Sequence, residues 1–125
     1  MDGVLWRESE PIGDLARIFK RITDLGLDYV LATNNATRTP QQYVEKLAGF
    51  GAHVPVEKII NSSMAVTYLL SSIFPDGGPV YIVGESGLHD TLAADGFYHA
   101  DEDVLAVVAG LDRTITYPKL NRAAT

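Results

Sequence analysis

"LDYVLATNNATRTPQQ", residues 27–42, carries the reading of the fold. Its first half is a short, nearly continuous apolar run that ends in Thr33, Asn34 and Asn35, the pattern of a strand covered on both faces in a parallel sheet. In its second half Thr39 suits an N-cap, Pro40 the first helical position, and Gln42 completes a capping box. These signals predict a helix from Pro40 to about Ala48, stopped by Gly49 and Gly51, with Tyr43, Val44 and Leu47 on its inner face. A strand that passes through a short polar turn into a helix is the repeating unit of open α/β sheets.

The same rhythm extends in both directions. Upstream, Ile12, Leu15, Ile18, Phe19, Ile22 and Leu25 recur at helical spacing between Pro11 and Gly26. Downstream, "KIIN" (58–61) reads as a strand, and Ser62 or Ser63 can cap a helix whose Val66, Leu69, Leu70 and Ile73 face inward. "FPDGGP" (74–79) places two prolines and two glycines within a few positions and marks a boundary between residues 1–78 and 79–125. After it come a strand "VYIV" (80–83), a helix "GLHDTLAAD" (87–95), a strand "VLAVVA" (104–109) and a helix beginning near Pro118. Strands alternating with helices through short links imply right-handed crossovers and a parallel sheet.

With 125 residues, 46% hydrophobic and 21% charged, the chain has the composition of a folded globular protein. Its net charge of -6, with Lys and Arg scattered, argues against a nucleic-acid backbone as partner. Small phosphates are still open to an acidic protein, through helix N-termini, backbone amides and a metal ion. The chain has no Cys, so thiolate metal sites and a Cys nucleophile are excluded, and the cytoplasm is the expected compartment. No apolar run approaches the roughly 18 to 20 residues that span a bilayer, so no membrane partner is expected.

Ligands of open α/β sheets bind beyond the carboxyl ends of the strands. That rule selects Asp2 and Gly3 at the start of the chain, Thr33, Asn34 and Asn35 after "YVLA", and Gly84 to Gly87 after "YIV". A Thr hydroxyl and Asn amides leaving a strand can donate to phosphoryl oxygens. The plainer reading is a turn: Asp-Gly and Asn-Asn both favour turns because Gly takes positive φ and Asn tolerates it.

Taken together, "MDGVLW" (1–6) and "VLATNNATRTPQQYVEKL" (30–47) resemble two motifs of the haloacid dehalogenase superfamily of phosphatases, in its p-nitrophenylphosphatase-like branch with a large α/β cap. The first motif is an apolar strand ending in Asp-x-Asp-Gly, and this chain matches it from x onward. The second ends in Thr-Asn-Asn before a capped helix. "INSSMAVTYLL" (60–70), "VYIVGESGLHDTLAADGF" (80–97) and "AVVAGLDRTITYPKL" (106–120) are similar to the same branch.

The resemblance implies a partial Rossmann-like core over 1–78 and the start of an α/β cap over 79–125. It implies hydrolysis of small phosphate monoesters through an aspartyl-phosphate, with Mg²⁺ as cofactor. Asp2 corresponds to the general acid and base, and its backbone carbonyl to a Mg²⁺ ligand. Thr33, Asn34 and Asn35 correspond to the substrate-binding positions. Met1 stands at the x of Asp-x-Asp, so the nucleophilic Asp, the family's Lys and its remaining acidic metal ligands are expected outside residues 1–125, as in a truncated reading frame. A homo-oligomer is left open.

Other residues read more plainly. His53, His89 and His99 lack ligand spacing. Arg38 reads as a solvated turn, Asp112 and Arg113 as an ion pair, and Asp101 to Asp103 as a solvated loop. Trp6 suits either packing or contact with a leaving group. A dinucleotide-binding module is the alternative: Gly84 and Gly87 supply part of G-x-G-x-x-G, and Asp112 could bind a ribose, though it lies beyond the roughly 20 residues usual for that acid. A non-catalytic interaction fragment is a third reading, motivated by the absent nucleophile.

Overall fold

The computed structural model describes residues 1–125, and the chain is α/β, with the expected helices and strands joined by three strands that were not expected. It divides by contacts into two compact units: Met1–Thr33 with Pro40–Ile60, and Asn34–Thr39 with Asn61–Thr125.

The first unit opens on a hairpin that periodicity did not foresee. Strands β1 (Trp6–Arg7) and β2 (Glu10–Pro11) pair antiparallel, Trp6 opposite Pro11 and Arg7 opposite Glu10. Two-residue strands are too short to leave an alternating signature. Helix α1 (Leu15–Asp24) begins at Asp14, whose side chain accepts a hydrogen bond from the Arg17 N–H at 3.0 Å. The start expected at Ile12 is therefore corrected by a better cap. Leu15 and Phe19 are buried, whereas Ile18 and Leu25, on the flank of that stripe, are exposed.

Strand β3 (Leu31–Thr33) is much shorter than the apolar run that announced it, and it is not covered on both faces: Ala32 is exposed. At the start of the run, Asp28 Oδ1 accepts the Tyr29 N–H at 2.8 Å and the Lys58 ammonium. A side chain bonded to the neighbouring backbone competes with a strand ladder. Helix α2 (Pro40–Gly49) follows, with Tyr43 and Leu47 buried and Val44 packed on the same core. A single 3-10 turn, Val56–Lys58, leads into β4 (Ile59–Asn61), the neighbour of β3 in a two-stranded sheet. The core of this unit gathers Trp6, Leu15, Phe19, Tyr43, Leu47 and Ile59.

In the second unit, α3 (Ser62–Ile73) is capped by Asn61, not by Ser62 or Ser63: the Asn61 Oδ1 accepts the Met64 N–H at 2.9 Å. Half of the expected inward face is found, since Leu70 is buried and Val66 packs against the core, and half is not. Ser63, Thr67 and Leu70 are buried, while Leu69 and Ile73 are exposed. The polar members are satisfied locally, the Thr67 hydroxyl donating to the Ser63 carbonyl at 2.8 Å and the Ser63 hydroxyl to Asn61 Oδ1 at 2.7 Å.

A parallel sheet in the order β6-β5-β7 forms the rest, from β5 (Gly78–Val83), β6 (Phe97–His99) and β7 (Ala106–Ala109). Helix α4 (Ser86–Ala94) makes the crossover from β5 to β6, and α5 (Tyr117–Ala124) closes the chain, capped by Thr116. Strand β6 escaped the sequence reading because only Phe97 of its three residues is buried. Gly77, at φ +71°, packs so closely on the Gly96 backbone that no Cβ fits there. No helix is long and apolar enough to cross a membrane.

Candidate active site

Asp2 lies in an N-terminal turn made by its neighbours: the Gly3 N–H donates to the Trp6 carbonyl at 2.7 Å and the Leu5 N–H to the Met1 carbonyl at 2.9 Å. Gly3 sits at φ +75°, a conformation that favours glycine. The turn brings residues four apart together, and the Trp6 indole Nε1–H donates to Asp2 Oδ1. Asp2 is exposed, whereas Trp6 is fully buried, stacked on Tyr43 at 6.2 Å between ring centroids and covered by the Lys46 ammonium 4.5 Å from its own ring. Burial excludes the leaving-group contact considered for Trp6. Its side chain packs and holds Asp2.

Thr33 is the last residue of β3 and is half-buried; Asn34, next in the chain, is exposed. In the second unit, the Asn34 carbonyl accepts the Ser62 hydroxyl at 2.9 Å. Asn35 Oδ1 accepts both the Thr37 N–H at 2.9 Å and the Thr37 hydroxyl at 2.7 Å, an Asx turn that commits its side-chain oxygen. The Arg38 carbonyl accepts the Asn61 amide at 3.0 Å. Asn61 thus caps α3 and ties down the segment that follows the Asn-Asn pair. Sequence reasoning missed that role by assigning the cap to the adjacent serines.

Gly84 and Gly87 have structural explanations that need no dinucleotide. A Cβ on Gly87 would lie 2.6 Å from the Thr37 carbonyl carbon, and one on Gly84 would lie 2.7 Å from Leu88 Cδ2. Asp112 is equally committed. Its Oδ2 accepts the Lys119 ammonium at 2.6 Å and its Oδ1 accepts the Thr114 N–H and hydroxyl, each at 2.8 Å. The Lys119 hydrogen bond, with those from Thr114, pulls the Asp112 carboxyl down to about 2. Arg113 pairs instead with Glu85, so the expected Asp112–Arg113 ion pair does not form.

Two of the histidines meet although their spacing gave no hint of it. The His89 and His99 rings lie 5.8 Å apart, and His99 Nδ1 accepts the Ile82 N–H at 3.0 Å. Burial, then the neighbouring His99, pushes the His89 imidazole below its ordinary range. The Asp101 carbonyl and the Glu102 carboxylate are held by Arg122, beside a cavity of about 700 Å³ that none of Asp2, Thr33, Asn34 or Asn35 lines.

For Mg²⁺, the donor set among the motif residues is the Asp2 backbone carbonyl beside a carboxylate already engaged by Trp6. No group of three His, Cys, Asp or Glu side chains is assembled that could hold a metal ion. The residues of this chain therefore do not by themselves make a cage for the ion. Mg²⁺ characteristically retains waters and takes one or two carboxylates with substrate phosphate oxygens, so its remaining ligands would have to come from elsewhere.

The profile of the haloacid dehalogenase-like hydrolases matches residues 1–98. Among curated relatives, the chain is 32% identical over 119 residues to the 5'-nucleotidase YutF of Bacillus subtilis, covering 95% of this chain and 46% of that protein. Among solved structures, a p-nitrophenyl phosphatase from Archaeoglobus fulgidus superposes with a TM-score of 0.88 at 27% identity, covering 98% of this chain and 47% of that one. A glycerol phosphate phosphatase from Mycobacterium tuberculosis, in complex with magnesium, superposes with a TM-score of 0.86 at 26% identity, covering 99% and 38%. The chain spans about half the length of the curated relatives it matches. With a match over residues 1–98 that takes in both the Asp2 turn and the Thr-Asn-Asn strand end, the chain belongs to the haloacid dehalogenase-like hydrolase family.

Proposed function

We propose that the chain is part of a phosphatase acting on small phosphate monoesters through an aspartyl-phosphate. In the first step a carboxylate attacks phosphorus, the bond from phosphorus to the leaving oxygen breaks, and the Asp2 carboxyl gives that oxygen its proton. In the second, water attacks phosphorus, Asp2 takes a proton from it, and the acyl-phosphate bond breaks to release phosphate and regenerate the carboxylate. Division into two displacements lowers the barrier that a single one would face. By motif correspondence the attacking carboxylate lies outside residues 1–125, and the core and cap divide near residue 78.

Thr33 supplies a hydroxyl donor to the transferring phosphoryl group, and Asn34 orients it. Asn35, whose side-chain oxygen is held by the turn, is the third substrate-binding position. Donors placed where charge develops account for a large part of catalysis in such reactions. Mg²⁺, when bound, would neutralise phosphoryl charge, with the Asp2 carbonyl among its ligands. Support for the substrate class comes from the relatives, whose names cover a nucleotide, p-nitrophenyl phosphate and glycerol phosphate.

The observation that carries the reading is the family match across residues 1–98, which contains Asp2 and the Thr33–Asn34 pair. Asp2→Asn tests it in the enzyme extended to the length of its relatives. Hydrolysis of p-nitrophenyl phosphate in Mg²⁺ should fall by about 10² to 10⁴, the range for general acid-base catalysis. Undiminished turnover would remove Asp2 from the mechanism. Saturable micromolar binding of NAD without phosphatase activity would move the chain to the dinucleotide-binding class.

A further inference from the structure

Trp6 is the natural place to look beyond the motif residues, because a fully buried side chain donates its one polar hydrogen to the exposed Asp2. We propose that Trp6 is the positioning residue of the acid-base group: its indole N–H fixes Asp2 Oδ1, so that Oδ2 is the oxygen that exchanges the proton. The inference rests on the acid-base assignment of Asp2 made above.

The indole is itself held by three side chains from helix α2 and the turn after it. Tyr43 stacks on it at an interplanar angle of 24°, Phe50 lies 6.0 Å away between ring centroids, and Lys46 covers the ring while its ammonium donates to the Glu8 carbonyl at 3.0 Å. All of these groups belong to the first compact unit. A short carboxylate on an exposed turn would otherwise sample several rotamers, and catalysis needs its oxygen within hydrogen-bond reach of the transferring proton. A donor anchored in the core removes that freedom. Trp is suited to the task because its N–H is a donor only and cannot take the proton that Asp2 must transfer.

Two measurements test this. Trp6 is the sole tryptophan, so a ¹H–¹⁵N spectrum of the chain holds one indole cross-peak. Asp2→Ala should move that peak upfield and speed its hydrogen exchange by about tenfold or more, the equivalent of one hydrogen bond to a charged group. An unchanged shift and exchange rate would overturn the proposal whatever the activity shows.

In the extended enzyme, Trp6→Phe keeps an aromatic ring against Tyr43 and removes the N–H. The kcat/KM of an alkyl phosphate such as glycerol phosphate, which reports the first step alone, should then fall roughly tenfold more than that of p-nitrophenyl phosphate, whose leaving group departs with little need of a proton. Equal losses on the two substrates would mark Trp6 as a packing residue only and overturn the proposal. Asp2→Asn separates this failure from that of the underlying reading: if Asp2→Asn itself leaves alkyl phosphate turnover intact, the acid-base assignment fails and takes the inference with it.

Discussion

Gly87, in the first turn of α4, lies against the backbone of Thr37: a Cβ at Gly87 would come within 2.6 Å of the Thr37 carbonyl carbon and 2.7 Å of the Arg38 nitrogen. Backbone atoms cannot swing aside as a side-chain tip can. Gly87→Ala is therefore expected to destabilise the chain by about 1 to 3 kcal/mol, the usual cost of overpacking. Urea unfolding checks it. Gly84→Ala, where the obstructing atom is Leu88 Cδ2 at the end of a flexible side chain, should cost less; a reversed order would refute the packing account of these two glycines.

Asn61 is expected to be one of the most sensitive polar residues in the second unit. It is 1% exposed, caps α3 through Oδ1, accepts the Ser63 hydroxyl, and donates to the Arg38 carbonyl. Replacement by Ala removes the cap, takes from the buried Ser63 hydroxyl the acceptor it uses, and releases the carbonyl of the exposed Arg38. A loss of about 2 to 4 kcal/mol follows from adding a cap of about 1 kcal/mol to an unsatisfied buried group at about 1 to 3 kcal/mol. Asn61→Asp keeps the capping oxygen but turns the donor into a buried carboxylate oxygen facing the Arg38 carbonyl, so it should destabilise too, and a wild-type unfolding midpoint there would refute the role of the donor.

The order of strands and helices was legible because each long element carries its period. Helix α2 shows this best, with Tyr43 and Leu47 buried as the spacing required. Element ends were less legible, because several residues competed for each cap: Asp14 over the region around Pro11, and Asn61 over Ser62. Half of the inner face of α3 was misread since its buried stripe contains Ser63 and Thr67, whose hydroxyls find partners inside the fold. At the candidate site, the motif positions were readable from residue type. The partner of Asp2 was not, since a turn through Gly3 brings Trp6 to it without any period to announce the contact.

Asp112 gives a signed pH prediction. Its carboxyl is pulled down to about 2, first by the Lys119 hydrogen bond and then by those from Thr114, while an unfolded Asp titrates near 3.9. The stabilisation is therefore complete above about pH 4 and is lost as pH falls through about 2. Asp112→Asn should flatten that part of the acid limb of unfolding stability, measured by urea midpoints between pH 4 and 2. A limb as steep as that of the wild type would mean that other carboxylates carry the acid sensitivity.

Thr33 offers the sharpest division between a phosphate-binding strand end and an ordinary turn. It is half-buried at the end of a three-residue strand, so truncation of its side chain removes a hydroxyl and a methyl without opening the core built on Trp6, Leu15 and Tyr43. If the hydroxyl donates to the phosphoryl group as its charge develops, the loss belongs to the transition state. In the extended enzyme, Thr33→Ala should then lower kcat by roughly 10² to 10³, the cost of one such donor, with a smaller change in KM. Thr33→Ser restores the hydroxyl and should recover most of that loss, which a packing role for the methyl would not allow. Circular dichroism and the thermal midpoint should remain close to wild type in both variants. An unchanged kcat/KM in Thr33→Ala would return the Thr-Asn-Asn stretch to a plain strand exit held by the Asx turn at Asn35.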